Sequence, residues 1–135
     1  MESGVLIVDD NQSFLDAARV LLERQGVRVS GVASTSADAL RRAEELRPEV
    51  VLVDIMLAGE SGFDVARRLV EHDRDGWSAV ILISTYSEAD FAELIAESPA
   101  TGFLPKSELS ADAIRRVVNG WAPRGAPDTR ARRER

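Results

Sequence analysis

Cysteine is absent from the 135 residues, which excludes a disulfide framework and thiolate chemistry. Long hydrophobic runs are missing too. The longest, Val50-Val51-Leu52-Val53 and Ala79-Val80-Ile81-Leu82-Ile83, fall far short of a bilayer span. Met1-Glu2-Ser3-Gly4 lacks a basic stretch, so no secretory signal is expected. Net positive charge is lacking: the balance of −6 argues against general nucleic-acid binding. Lysine is almost missing as well, since the 17 basic residues are 16 arginines and Lys106. These absences lead to the expectation of a cytoplasmic protein with no membrane and no direct nucleic-acid contact.

What is present suits one globular domain. The chain is 44% apolar and 30% charged, and its length supports a single core. Apolar periodicity alternates between two kinds. Val5 to Val8, Val50 to Val53 and Ala79 to Ile83 are continuous runs, the pattern of strands buried on both faces. Val27 to Val32 alternates and reads as a second strand, and Gly102 to Pro105 as a short fifth. Between them, helical spacing appears at Phe14 to Leu22, Ala39 to Leu46, Phe63 to Val70, Phe91 to Ile95 and Ala113 to Val118. Thr35 or Ser36, Ser87 and Ser110 are the expected caps of helices two, four and five. Gly26 and Gly120 are expected stops.

Five β-α units with short links predict an α/β fold: a doubly wound, five-stranded parallel sheet with helices on both faces. The apolar strands one, three and four belong at the centre, and strands two and five at the edges. Pro105 agrees with an edge. The order 2-1-3-4-5 puts a topological switch between strands one and three, where such sheets bind ligands. The domain is expected over residues 1–121. Residues 122–135 have no apolar face and carry five arginines against Asp128 and Glu134, so a flexible arginine-rich tail is expected there.

The strand ends carry the chemistry. Strand one runs into Asp9-Asp10, strand three into Asp54, strand four into Ser84-Thr85, and strand five into Lys106. Asp9-Asp10 fits an N-cap of helix one as readily as a ligand pair. Taken together, however, three carboxylates at one crevice call for a cation. Mg²⁺ fits best, being hard and usually held by carboxylates, phosphate and water. A carboxylate beside such an ion can attack phosphorus and form an acyl phosphate. The ion, Lys106 and the Ser84 hydroxyl could each take one oxygen of the incoming phosphoryl group. A flexible point-charge donor suits that task better than a rigid guanidinium fork.

LIVDDN, VVLVDIMLAGESGFDV, ILIST and GFLPKSEL, in that order, resemble the motifs of the receiver domain of bacterial two-component response regulators. The resemblance covers about residues 4–120 and implies a flavodoxin-like fold. It further implies that Asp54 is the phosphoacceptor, with Gly62 eight residues on, and that Ser84 and Lys106 assist. Mg²⁺ would be bound by Asp10, Asp54 and the backbone carbonyl of Met56, with Asp9 acting through water. The implied donor is a phosphohistidine on a sensor histidine kinase or phosphotransfer protein. A downstream protein, or a second copy of the chain, would dock on helix four, strand five and helix five. No turnover of an external substrate is implied. Ser84, Thr85 and Phe103 hold the positions of the family's switch.

Some residues depart from the family pattern. Ala58 stands where proline is usual, four residues after the acceptor. Ser107 replaces the proline after the lysine, so a cis peptide there is not expected. Thr85 stands where a small residue is commonest. Met56 and Tyr86 occupy the positions best placed to orient a hydrolytic water, and neither is suited to it. A long-lived phosphoryl group is therefore expected. Two alternatives are a small haloacid-dehalogenase-type phosphohydrolase and a phosphorylation-independent pseudo-receiver. The first would carry DxDxT on strand one and its acidic pair late, unlike this chain.

Overall fold

Val5, Leu6, Ile7 and Val8 are all fully buried, as a strand covered on both faces requires. In the computed structural model, which describes residues 4–120, they form the first strand, β1 (Val5–Val8). The chain continues through α1 (Gln12–Arg24), β2 (Val29–Ala33), α2 (Ser36–Leu46) and β3 (Val50–Asp54). Two very short strands follow, β4 (Met56–Leu57) and β5 (Glu60–Ser61), then α3 (Gly62–His72) and β6 (Ala79–Ser84). A 3₁₀ turn (Glu88–Phe91), α4 (Ala92–Glu97), β7 (Gly102–Pro105), a second 3₁₀ turn (Lys106–Glu108) and α5 (Ala111–Asn119) complete it.

The main sheet is parallel throughout, in the order β2-β1-β3-β6-β7. With β6 and β7 as the fourth and fifth strands of the sequence pattern, this is the expected flavodoxin-like order 2-1-3-4-5. Alternation along each strand divides two apolar cores. Val5, Ile7, Leu52, Ile81 and Ile83 face Leu15 and Leu22 of α1 and Ile114 of α5. Leu6, Val8, Val53 and Leu82 face Ala39 of α2 and Val65, Ala66 and Leu69 of α3. Each such valine, leucine or isoleucine contributes about 1.5–3 kcal/mol when fully buried.

The caps resolve an ambiguity. Asn11, not the acidic pair, caps α1: its side chain accepts the Phe14 N–H at 3.1 Å. Thr35 caps α2 and Ser110 caps α5 in the same manner. Helix four differs from expectation. The chain from Ser87 first makes a 3₁₀ turn, Ser87 makes no side-chain cap bond, and α4 has only six residues, none of them buried. Its apolar spacing is real but ends at Ser98-Pro99, because a residue before proline is driven out of the α region. The second strand starts at Val29 rather than Val27, whose N–H is still bonded to the Leu22 carbonyl at the end of α1. The β4–β5 hairpin was not expected at all. It turns at Ala58-Gly59, where Gly59 has φ +71°, a conformation that favours glycine. The peptide after Lys106 is trans. The expected tail at 122–135 lies outside the described residues.

Candidate functional site

Asp9 follows β1 directly and is fully buried. Its N–H donates to the Ala33 carbonyl at 3.0 Å, which ties it to the end of β2. Its Oδ1 accepts the Asn11 N–H at 2.9 Å. Its Oδ2 lies 2.6 Å from Lys106 Nζ as a buried ion pair. Asp10, the next residue, is exposed. Asp54 ends β3 and is buried; its Oδ1 accepts the Met56 N–H at 3.1 Å and its Oδ2 accepts from Lys106 Nζ at 3.1 Å. The β-sheet register carries these groups to one edge: Asp54 pairs with Ile83, and Ser84 with Pro105 beside Lys106.

Carboxylate oxygens of Asp9, Asp10 and Asp54 all lie within 4.8 Å of one another. Burial pushes the Asp54 pKa up; the Met56 N–H opposes it, the charge of Asp9 adds to it, and Lys106 counters it, with the net upward. For Lys106, burial alone works to lower the pKa, but the close Asp9 and Asp54 carboxylates outweigh it and hold the ammonium protonated. Its Nζ also sits 4.3 Å from the centroid of the Phe14 ring, a cation–π contact. A hard dication fits this pocket. The donors are oxygens, and three carboxylates converge on one spot with a single ammonium, Lys106, among them.

The remaining expected residues differ in burial and contacts. Ser84 is buried, and its Oγ accepts the Tyr86 N–H at 2.9 Å. Thr85 is exposed. Phe103 is buried in the core cluster with Val53 and Leu82. Met56 and Tyr86 are about half exposed, at 53% and 50%. The Tyr86 ring stands edge-on to Phe91, with centroids 5.9 Å apart, which draws it towards the start of helix four.

Three participants were missed in the sequence. Phe14 was read only as a core residue of α1, although its ring also supports Lys106. Gly62 was noted for its spacing alone. A Cβ there would lie 1.9 Å from the Asp54 carbonyl oxygen and 2.5 Å from Ile55 Cα, so only glycine lets α3 start against the acceptor strand. Glu60 was not singled out. Its carboxylate accepts both the N–H and the hydroxyl of Ser36, which tethers the β4–β5 hairpin to the start of α2.

The family model described as response regulator receiver domain matches residues 5–119. The chain belongs to this family. Among curated receivers, it is 32% identical over 120 residues to the response regulator GacA of Pseudomonas aeruginosa, covering 86% of this chain and 55% of that protein. It is 29% identical over 121 residues to the transcriptional regulatory protein DesR of Bacillus subtilis, covering 87% and 59%. The chain thus spans about half to three fifths of the length of the curated relatives it matches. Among solved structures, the signal receiver domain of a modulated diguanylate cyclase from Desulfovibrio desulfuricans is 32% identical with TM-score 0.71, over 87% of this chain and 90% of that one. A LuxR-family two-component response regulator from an Aurantimonas species is 25% identical with TM-score 0.76, over 97% of each chain. Membership in the receiver family replaces the hydrolase alternative. Among the described residues, no helix is long and apolar enough to cross a membrane.

Proposed function

We propose that this receiver accepts a phosphoryl group on Asp54 from a phosphohistidine on a sensor histidine kinase or phosphotransfer protein. The observation that carries the reading is Asp54 itself: a buried carboxylate with one oxygen held by the Met56 N–H and the other by Lys106, inside a pocket of three acids. Asp54 attacks phosphorus, a carboxylate O–P bond forms, and the histidine N–P bond breaks with its electron pair returning to the imidazole. Lys106 moves its ammonium from the carboxylate to an oxygen of the arriving group, a short swing for a flexible stem. The Ser84 hydroxyl donates to another oxygen. Asp9, Asp10, Asp54 and the Met56 carbonyl would hold Mg²⁺, which when bound neutralises phosphoryl charge.

The added group brings near two negative charges and strong acceptor oxygens. Ser84 then turns towards it, which breaks its bond from the Tyr86 N–H and pulls Thr85 and the turn before α4. Phe103 repacks in response, and a downstream protein or a second copy reads the face of α4, β7 and α5. That face suits a switch because α4 is short and has no buried residue, so little packing resists its movement. Amide exchange across residues 84–109 should change when beryllofluoride binds, and unchanged exchange there would contradict the switch. The acceptor itself is tested with acetyl phosphate and Mg²⁺ by intact mass. The native chain should gain one phosphoryl group and Asp54→Ala none. A native chain that gains none leaves the phosphorylation-independent binding module as its reading.

A further inference from the structure

We infer that Glu60 is a positioning residue for the divalent-cation site, acting through its clamp on Ser36. The inference rests on the proposed Mg²⁺ ligands, and above all on the Met56 carbonyl. Met56 lies on β4, and β4 pairs only with β5: Met56 opposite Ser61, and Leu57 opposite Glu60. A two-stranded ribbon of two residues a side is not stable alone and takes its place from what holds it. Leu57 anchors it by packing into the core. Glu60 supplies a polar anchor to a different element, with Oε1 accepting the Ser36 N–H at 3.0 Å and Oε2 accepting the Ser36 hydroxyl.

The other end of that anchor leads back to the acid pair. Ser36 begins α2, three residues after Ala33, and the Ala33 carbonyl accepts the Asp9 N–H at 3.0 Å. The acceptor loop and Asp9 are therefore referred to one frame, the β2–α2 corner, and Glu60 is the polar link between that corner and the loop. Thr35 caps α2 through the Asp38 N–H, and Glu60 takes a second free N–H of the same helix end, so its carboxylate joins the loop to the helix N-terminus as well as to the Ser36 hydroxyl. Ser36 is buried while Glu60 is exposed, so the clamp runs from the surface loop to a fixed point on the packed helix end. Groups that orient metal ligands from the outer shell carry a sizeable share of affinity.

The test titrates Mg²⁺ into the full chain without a phosphodonor, followed by amide NMR shifts at Asp10 and Met56. Glu60→Ala should raise the dissociation constant about tenfold, the low end of what outer-shell partners carry. Ser36→Ala, which keeps the N–H half of the clamp, and Glu60→Gln should fall between. Asp54 labelling by acetyl phosphate should then need more Mg²⁺ for half-saturation but reach the native plateau. Where Glu60→Ala does not fold, Glu60→Gln and Ser36→Ala make the comparison. Variants that bind Mg²⁺ within twofold of the native chain overturn the clamp, even if their stability falls. A native chain that binds no Mg²⁺ removes the clamp and the ligand set together. Weakened Mg²⁺ binding in the variants with no labelling of the native chain removes the acceptor reading and leaves the clamp standing.

Discussion

Replacing Lys106 by methionine removes the ammonium, which sits 4.3 Å from the Phe14 ring centroid, while keeping an unbranched apolar chain. In the native chain, Lys106 Nζ lies 2.6 Å from Asp9 and 3.1 Å from Asp54. Without it, two buried carboxylates face each other, and Asp9 Oδ2 loses the cation beside it. Removing one partner of a buried ion pair costs about 3–5 kcal/mol, because the remaining charge stays desolvated and unpaired. The Lys106 side chain keeps 12% of its surface exposed, so water can reach the space it leaves. A loss at or below the low end follows, about 2–3 kcal/mol, or roughly 8–12 °C in melting temperature for a domain of this size. Mg²⁺ changes the outcome, because a dication held by the same carboxylates takes over the compensation and binds only the folded state. The loss should shrink to about 1 kcal/mol or less when Mg²⁺ is saturating. Urea unfolding of the native chain and Lys106→Met, each with a chelator and with Mg²⁺, reads all four values. A loss that is the same with and without Mg²⁺ would refute the reasoning, since the ion and the ammonium would then not be serving the same charges.

Gly62→Ala should lower stability by the upper part of about 1–3 kcal/mol, because the added Cβ meets fixed backbone at Asp54 and Ile55; a native urea midpoint contradicts this. The acyl phosphate should decay faster in a Met56→Asn, Tyr86→Glu double variant than in the native chain at equal Mg²⁺, because polar groups there can orient water. Decay no faster than native removes that claim. Glu60 has its pKa lowered from its usual 4.5, first by the Ser36 hydroxyl and then by the Ser36 N–H. A carboxyl depressed on folding stabilises above its unfolded pKa and loses that contribution as pH falls through the folded value. The stability difference between native and Glu60→Gln should therefore be largest above about pH 5 and fade in acid, and a difference independent of pH would count against the clamp.

Much of this was legible in the chain because parallel sheets are buried on both faces. Val5 to Val8, Val50 to Val53 and Ala79 to Ile83 advertise their strands, and the register of such strands brings Asp9, Asp54 and Lys106 to one edge. The ambiguity over Asp9-Asp10 is local: two acidic residues and an asparagine can all cap a helix, and the fold gives that task to Asn11. Helix four stands where Phe91 to Ile95 placed it, but the spacing could not show that its first turn, Glu88–Phe91, is 3₁₀ and leaves Ser87 without a capping bond. The β4–β5 hairpin was invisible because strands of two residues have no period to read. The Glu60–Ser36 clamp joins residues 24 apart in sequence and has no local signature. The role of Phe14 under Lys106 was hidden for a different reason: an aromatic at a helical apolar position already has a sufficient explanation in the core.

Borohydride trapping identifies the phosphorylated residue chemically. The full chain is treated with acetyl phosphate and Mg²⁺, then reduced with borohydride, which converts an aspartyl phosphate to homoserine, and the digested peptides are sequenced by mass spectrometry. Homoserine is expected at position 54, dependent on Mg²⁺ and lost in Asp54→Ala. Homoserine at position 9 or 10 instead, or at none of the three, would contradict Asp54 as the acceptor.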